Sequence, residues 1–377
     1  MSGSHLQKNT GASGQSQPAP SAARPKKSSR LRPVWQLVLL DLLMTGLILC
    51  VFATFHHVIP RLRLQMGEAP EPIATAKPDR LDSQATAKPQ PEPGDGDAEP
   101  TPEPTPDPDD WAALFAGHFT DQVLVTEDSY SSPNLSVTVS KVSTEYSSDT
   151  GSWPLTYFVA DIYISDIRCF QTALPQSRNY ENADRIARES GAVVAINGDF
   201  AIVHKAGPCV RNGDLYIDGL SSVDACVLTY DGVMKTYLQG TYDKETLLEQ
   251  DPYQVWLFGP ALLDSEGQPL TEFNTSSALL SRHPRTAVGY YEPGHYCFVV
   301  VDGRQNGYSA GLPMDGLAGL MADLGCKQAY NLDGGASSQF AFMGERINSP
   351  SGERTLYDML IIREPEEFNA EETEVDP

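Results

Sequence analysis

Asn331-Leu332-Asp333-Gly334-Gly335-Ala336-Ser337-Ser338 ends a pattern that begins with a helix and turns into a strand. Upstream, Met314, Leu317, Met321 and Leu324 recur at helical spacing on one face, which predicts an amphipathic helix over 312–324. Pro313 suits the first turn of such a helix, where a missing N–H is no loss. Gly325 suits the left-handed position just past its end. Gln328 to Leu332 then reads as a short strand, and Asp333-Gly334-Gly335 as the turn that leaves it. A strand end followed by glycines is a place where rigid scaffold meets exposed loop and where a ligand can approach the backbone closely.

Working outward, Leu135-Ser136-Val137-Thr138-Val139-Ser140 alternates apolar and polar residues as a half-buried strand does. Tyr157 to Ile164 is more apolar and reads as a strand covered on both faces. Glu181 to Glu189 predicts a helix with Ala183, Ile186 and Ala187 on one face and Gly191 as its stop. Ala192 to Ile196 is a short, fully apolar strand. Cys226–Tyr230 and Val233–Tyr237 flank Asp231-Gly232, a strong two-residue hairpin signal. Thr286–Tyr291 and Tyr296–Val301 flank a turn at Glu292-Pro293-Gly294 and predict a second hairpin. Many strands with few helices define an α+β class, a β-rich mixed-sheet domain with a few packed helices.

The rest of the chain frames that domain. Residues 1–33 are rich in Ser, Gly, Gln and Pro and carry only basic charge, which predicts a disordered cytoplasmic tail. Residues 34–59 are apolar apart from a few positions such as Asp41, His56 and His57, and are long enough to cross a bilayer core of about 30 Å. The basic flank sets the orientation, so the expectation is a single-pass signal anchor in the cell membrane with the rest extracytoplasmic. A cleaved signal peptide fits less well, because the nearest Ala-x-Ala match, Ala74-Thr75-Ala76, lies well past the apolar stretch. Residues 60–110 form a linker rich in proline and acid, including Pro100-Thr101-Pro102-Glu103-Pro104, which predicts an extended spacer. The domain is expected over 111–363 and an acidic, solvated tail over 364–377.

The 377 residues carry a net charge of −23. Such acidity excludes nucleic acid as a partner, but a local arginine cluster can still hold an anionic ligand against it. Five of the six cysteines fall in the domain, none in Cys-x-x-Cys spacing, so neither a metal knuckle nor a disulfide framework is expected. A single Cys209–Cys226 pair stays open. Cys297 and Cys326 read as buried small hydrophobes.

Four segments that adjoin apolar strands concentrate polar chemistry: Ile196-Asn197-Gly198-Asp199-Phe200, His283-Pro284-Arg285-Thr286-Ala287, Val301-Asp302-Gly303-Arg304, and Asn331 to Ser338. Any one alone reads as a turn. Together and in this order they resemble the phosphodiester glycosidase family. Its N-L-D-G-G-G-S appears as Asn331 to Ser337 with Ala336 for the third glycine, its P-R-T-A as Pro284 to Ala287, its D-G-R as Asp302 to Arg304, and its N-G-x-F as Asn197 to Phe200. The resemblance covers roughly 192–362. It implies an enzyme that cleaves a sugar-1-phosphate diester at the anomeric carbon.

That chemistry needs arginines, whose planar fork matches phosphate oxygens, and carboxylates to activate water or steady an oxocarbenium-like centre. Arg285 and Arg304 are the candidates for the first role, and Asp333, Asp302 and Asp199 for the second. Asn197, Asn331 and Ser337 are candidates to bind sugar hydroxyls, with Gly334 and Gly335 presenting backbone. His204 and His283 are expected behind the contacting residues, and Arg282 in solvent. No D-x-D-x-D-G spacing occurs, so no metal and no cofactor is expected. Ala336 would strain the turn if its position needs a positive φ. The expected partners are a sugar-phosphate or polysaccharide substrate and, through the N-terminal helix, the membrane. The alternatives are a non-catalytic surface module that binds phosphorylated glycans, or another exopolysaccharide-processing enzyme.

Overall fold

The computed structural model describes residues 110–366, together with Gln36, Met44, Thr45, Glu71 and Pro72. The expected membrane span, most of the linker and the tail beyond residue 366 lie outside the described residues. Among the described residues no helix is long and apolar enough to cross a membrane.

Residues 110–366 build three antiparallel sheets and a few short helices. The largest has seven strands in the order Leu124–Val125, Ser129–Ser131, Leu135–Ser148, Gly151–Ile164, His295–Val301, Arg285–Glu292, Gln328–Asn331. A second has five, in the order Met234–Tyr237, Ala225–Thr229, Pro252–Trp256, Cys209–Arg211, Asp214–Ile217. The third also has five: Glu345–Arg346, Phe340–Phe342, Val194–Asn197, Met359–Ile362, Phe170–Ala173. The β-rich α+β class expected from the sequence is therefore what the chain adopts.

Each sheet sends aromatic side chains into one shared core. Phe158 and Phe298 come from the seven-stranded sheet, Phe170 and Phe340 from the third, and Trp256 from the second. Phe170 meets Phe298 edge-on at a centroid distance of 5.4 Å and lies 5.6 Å from Trp256. Such offset and edge contacts suit ring quadrupoles and add to the area each ring buries.

Both predicted hairpins form, at Ala225–Thr229 with Met234–Tyr237 and at Arg285–Glu292 with His295–Val301. Gly232 takes φ +77° in the first turn, as a two-residue hairpin requires. The helix Met314–Asp323 buries Met314, Leu317 and Met321, and Gly325 follows it at φ +83°. The helix Ala183–Glu189 buries Ala183, Ile186 and Ala187. The Gly151–Ile164 strand alternates fully buried with half-buried residues over its apolar half, so one of its faces is only partly covered.

One open possibility closes, and two further expectations are corrected. Cys209 and Cys226 lie on strands separated by Pro252–Trp256, roughly 9–10 Å apart at sheet spacing and beyond disulfide reach, and both are free. Glu364 belongs to the packed domain rather than to a solvated tail. It is buried and accepts from the Tyr130 hydroxyl at 2.8 Å and the Asn134 amide at 3.0 Å. Arg282 is half-buried, with its guanidinium 3.6 Å from the Trp153 ring centroid, a close cation–π contact.

Candidate active site

Strand register assembles the site at one end of the seven-stranded sheet. Arg285 pairs with Val301, which leaves Asp302 just past the neighbouring strand's end, and Ala287 pairs with Asn331 on the other side. Pairing continues past the strand: Leu332 N–H donates to Thr286 O at 2.8 Å and Gly335 N–H to Pro284 O at 3.1 Å. Asp333 is thereby carried to the level of Arg285. From the third sheet, Asn197 ends the fully buried Val194–Asn197 strand and closes the site from the side.

A cleft of about 190 Å³ opens there, lined among others by His283, Arg285, Arg304, Asn331, Asp333 and Arg354. Three guanidiniums thus face one carboxylate. Arg285 is buried and gives its donors to three carbonyls: Nε to Leu312 O at 2.9 Å, Nη2 to Leu279 O at 2.7 Å and to Ser281 O at 2.6 Å. Those bonds orient the fork without neutralising it. Burial, and then the nearby Arg304 charge, lower its pKa to about 10. Arg304 is exposed, has φ +59°, and donates to His283 Nδ1. His283 Nε2 lies 2.9 Å from Ala278 O, an acceptor only, so its proton sits on Nε2 and Nδ1 is free to accept. His283 therefore holds Arg304 from behind.

Arg354 carried no sequence signal of its own. It reaches the same cleft, 5.9 Å from the Phe200 ring centroid, and acts electrostatically on Asp333. None of these three arginines makes an ion pair with a carboxylate among the described residues; their partners are carbonyls, an imidazole nitrogen and an aromatic ring.

Asp333 is the half-buried carboxylate of the cleft. Burial raises its pKa, against hydrogen bonds from Ser337 and Gly334 N–H and the field of Arg354. Its backbone is pinned by Asn197, whose amide donates to Asp333 O at 2.7 Å while its oxygen accepts from the Thr286 hydroxyl at 2.7 Å. Asn197 is fully engaged and positions rather than contacts. Asn331 donates to Gly259 O at 2.7 Å, yet its buried Oδ1 has no partner. A buried acceptor left without a partner is costly.

Gly335 has φ +69°, a backbone conformation that favours glycine, and a Cβ there would lie 3.1 Å from Arg304 Nη1, close enough to push the fork aside slightly. Ala336 lies within the 3-10 turn Gly335–Ser337 and is absent from the positive-φ residues, so the expected strain does not arise. Ser337 is buried in the same turn and helps hold the Asp333 pKa down against burial.

Two of the three aspartates stand apart from this cleft. Asp302 is fully buried and saturated: it accepts from Asn348 Nδ2 at 2.7 Å, the Tyr308 hydroxyl at 2.8 Å and Ser349 N–H at 2.9 Å. It clasps the 302–309 loop to the 348–349 segment, and burial raises its pKa. Asp199 is also fully buried, bonded to Arg211 and to the N–H groups of Ala201 and Leu257. Arg211 in turn reaches Asp358 at 3.4 Å. Asp358 lines a small hollow beside the cleft with Asn197, Gly198, Asp333, Ser337 and Arg354. Among the described residues no three His, Cys, Asp or Glu side chains are grouped to hold a metal ion. A larger hollow of about 600 Å³, beside Met234–Tyr237 and Gln328, contains none of these site residues.

The fold and site define a β-rich domain with an arginine-walled cleft and one glycine-turn carboxylate. The sequence model of the phosphodiester glycosidase family matches residues 190–363, the segment that carries the four motifs. The four N-terminal strands of the seven-stranded sheet precede the matched segment. The chain is 32% identical over 197 residues to the SPbeta prophage-derived uncharacterized protein YomE of Bacillus subtilis (strain 168), covering 50% of this chain and 30% of that one. It thus spans about a third of the length of the curated relative it matches. It also shares the fold of the zebrafish N-acetylglucosamine-1-phosphodiester alpha-N-acetylglucosaminidase catalytic domain, a structure described as auto-inhibited by its pro-peptide. That match has a TM-score of 0.52 and 20% identity, over 64% of this chain and 88% of that one.

Proposed function

We propose that this domain hydrolyses the bond between the anomeric carbon of a sugar and a phosphodiester, in a glycan or cell-surface polymer, from the outer side of a membrane to which residues 34–59 anchor it. The observation that carries this reading is the uncompensated positive charge of the cleft, three arginines against Asp333, in a chain of net charge −23. Clustered guanidiniums without counter-ions suit a bound anion, and their planar forks suit phosphate oxygens.

In this reading the diester's charged oxygens sit against Arg285, Arg304 and Arg354. The bond from anomeric carbon to phosphate oxygen breaks, and its electron pair leaves with the phosphate as a monoester. The leaving group gains negative charge that the arginines already face, so the stabilisation grows toward the transition state. Asp333, its basicity raised by burial, takes the proton of the water that attacks the anomeric carbon. The products are a free sugar and a phosphomonoester. Such a leaving group needs little acid assistance, which accords with Asp302 lying outside the cleft walls.

A second reading, a non-catalytic module that binds phosphorylated glycans, is favoured by one observation. Asp333 is the single carboxylate among the cleft's lining residues, whereas sugar hydrolysis commonly uses two. The full chain in detergent micelles, incubated with a sugar-1-phosphate diester, separates the two. Hydrolysis predicts sugar and phosphomonoester in equal amounts and a loss of about 100-fold or more in Asp333→Asn. Salt-sensitive binding without turnover in either protein selects the binding module instead.

A further inference from the structure

We propose that Asp199 and Asp358 share a single proton, held on Asp358, and that losing it weakens anion binding in the adjoining cleft. The inference rests on the anion-binding reading above and adds a pH control to it.

Two carboxyls and one guanidinium are sealed together here. Asp199, Asp358 and Arg211 are each 2% exposed or less. Asp199 has the pattern of the charged partner. It takes Arg211 Nη2 at 2.5 Å and Leu257 N–H at 2.5 Å, with Ala201 N–H at 3.0 Å. Asp358 has only longer contacts, Phe200 N–H at 3.3 Å and Arg211 Nη2 at 3.4 Å, and that shared Nη2 brings its carboxyl beside the one on Asp199. Two carboxylates cannot both ionise against one buried cation without leaving a negative charge unpaired, so one keeps its proton and donates it to the other. The backbone enforces the closeness: a Cβ on Gly198 would lie 2.5 Å from the Asp358 carboxyl, so only glycine admits the pair.

The charged and titratable neighbours of Asp358 are few, and one of them, the buried thiol of Cys209, stays protonated because burial pushes it up to about 12. Asp199 precedes Phe200 in the loop after Val194–Asn197, and Arg211 ends Cys209–Arg211. Asp333 and Arg354 share its small hollow, and Tyr357 adjoins it in the chain. Burial first, and the Asp199 charge second, bring Asp358 up to about 8. While Asp358 is neutral, Asp199 cancels Arg211 and the wall behind Asp333 carries no excess charge. Ionised, Asp358 adds a buried negative charge beside an anion site, where the low dielectric gives it reach.

The test uses the full chain and two readouts, neither of which needs turnover. The first is thermal midpoint against pH. Asp358 has a folded pKa above its unfolded value, so the folded state binds the extra proton. Its contribution is complete below the usual carboxyl range and is lost as pH rises to about 8. The wild type should therefore lose stability relative to Asp358→Asn across that window. The second readout is the dissociation constant of sulfate, an anion of constant charge, between pH 6 and 9. Wild-type affinity should fall as Asp358 ionises, by at most about tenfold per pH unit before it levels off, and Asp358→Asn and Asp199→Asn should each flatten the fall, because each leaves a single carboxylate for Arg211. Parallel stability profiles in wild type and Asp358→Asn overturn the shared proton. Divergent stability with parallel sulfate profiles overturns the link to the cleft. Measurable sulfate binding without sugar release would leave the proposal standing while the hydrolase reading falls.

Discussion

Arg211 and the cleft arginines belong to the same domain and are handled in opposite ways. Arg211 is sealed in the interior between two carboxyls, 2.5 Å from Asp199 and 3.4 Å from Asp358. Arg285 is nearly as buried, yet its donors go to the carbonyls of Leu312, Leu279 and Ser281. Arg304 and Arg354 are exposed and likewise lack a carboxylate partner. Burial does not separate Arg211 from Arg285, and charge separates none of the four. The missing counter-charge does: Arg211 is a closed structural unit, whereas the cleft arginines are oriented but left unneutralised, as an anion site requires.

Substitutions can break this contrast or sharpen it. The largest effect belongs to Arg211→Met. It strands Asp199 as a buried charge, and chemical denaturation should show a loss of about 3–5 kcal/mol. Arg285→Lys comes next. A single ammonium cannot serve three carbonyls with the same geometry, so about 1–3 kcal/mol of stability should go, together with affinity for anions. Equal losses at Arg211 and Arg285 in stability, with anion affinity intact in both, would erase the distinction.

The smallest effects test the turn that carries Asp333. Gly335→Ala must take φ +69° and crowd Arg304, which should cost about 1 kcal/mol and lower activity. Ala336→Gly, by contrast, should cost about 0.5 kcal/mol by loosening the 3-10 turn and should gain no activity. Thermal midpoints and initial rates of the two variants, compared side by side, check this. A rise in rate with Ala336→Gly would show that alanine does restrain the site.

How much of this was legible in the sequence varied with the physical signal. The hairpin around Asp231-Gly232 and the helix ending at Gly325 were readable because turn chemistry and period are local. The hairpin Leu135–Ser148 with Gly151–Ile164 runs far longer than its apolar alternation, because Ser143, Thr144, Ser147 and Ser148 pair through the ladder without a buried face. Pro252–Trp256 is fully buried, but its proline and glutamine hid it.

At the site, motif order drew Arg285, Arg304, Asn331, Asp333, Gly334 and Gly335 to one cleft. It could not tell Asp302 and Asp199 from Asp333. An aspartate beside a glycine looks the same whether it faces a cleft or is saturated by distant partners such as Asn348 or Arg211. Arg354 and Asp358 had no motif at all; long-range packing alone places them near Asp333.

The most direct test of the cleft is a calorimetric titration of the full-length Asp333→Asn chain, in which turnover is suppressed, with a sugar-1-phosphate diester. The expected result is saturable one-site binding that weakens with salt and falls at least about tenfold when Arg304 and Arg354, both exposed and so dispensable for folding, are changed together to glutamine. Binding of unchanged strength in that arginine-depleted chain would contradict the assignment of the cleft to a phosphodiester.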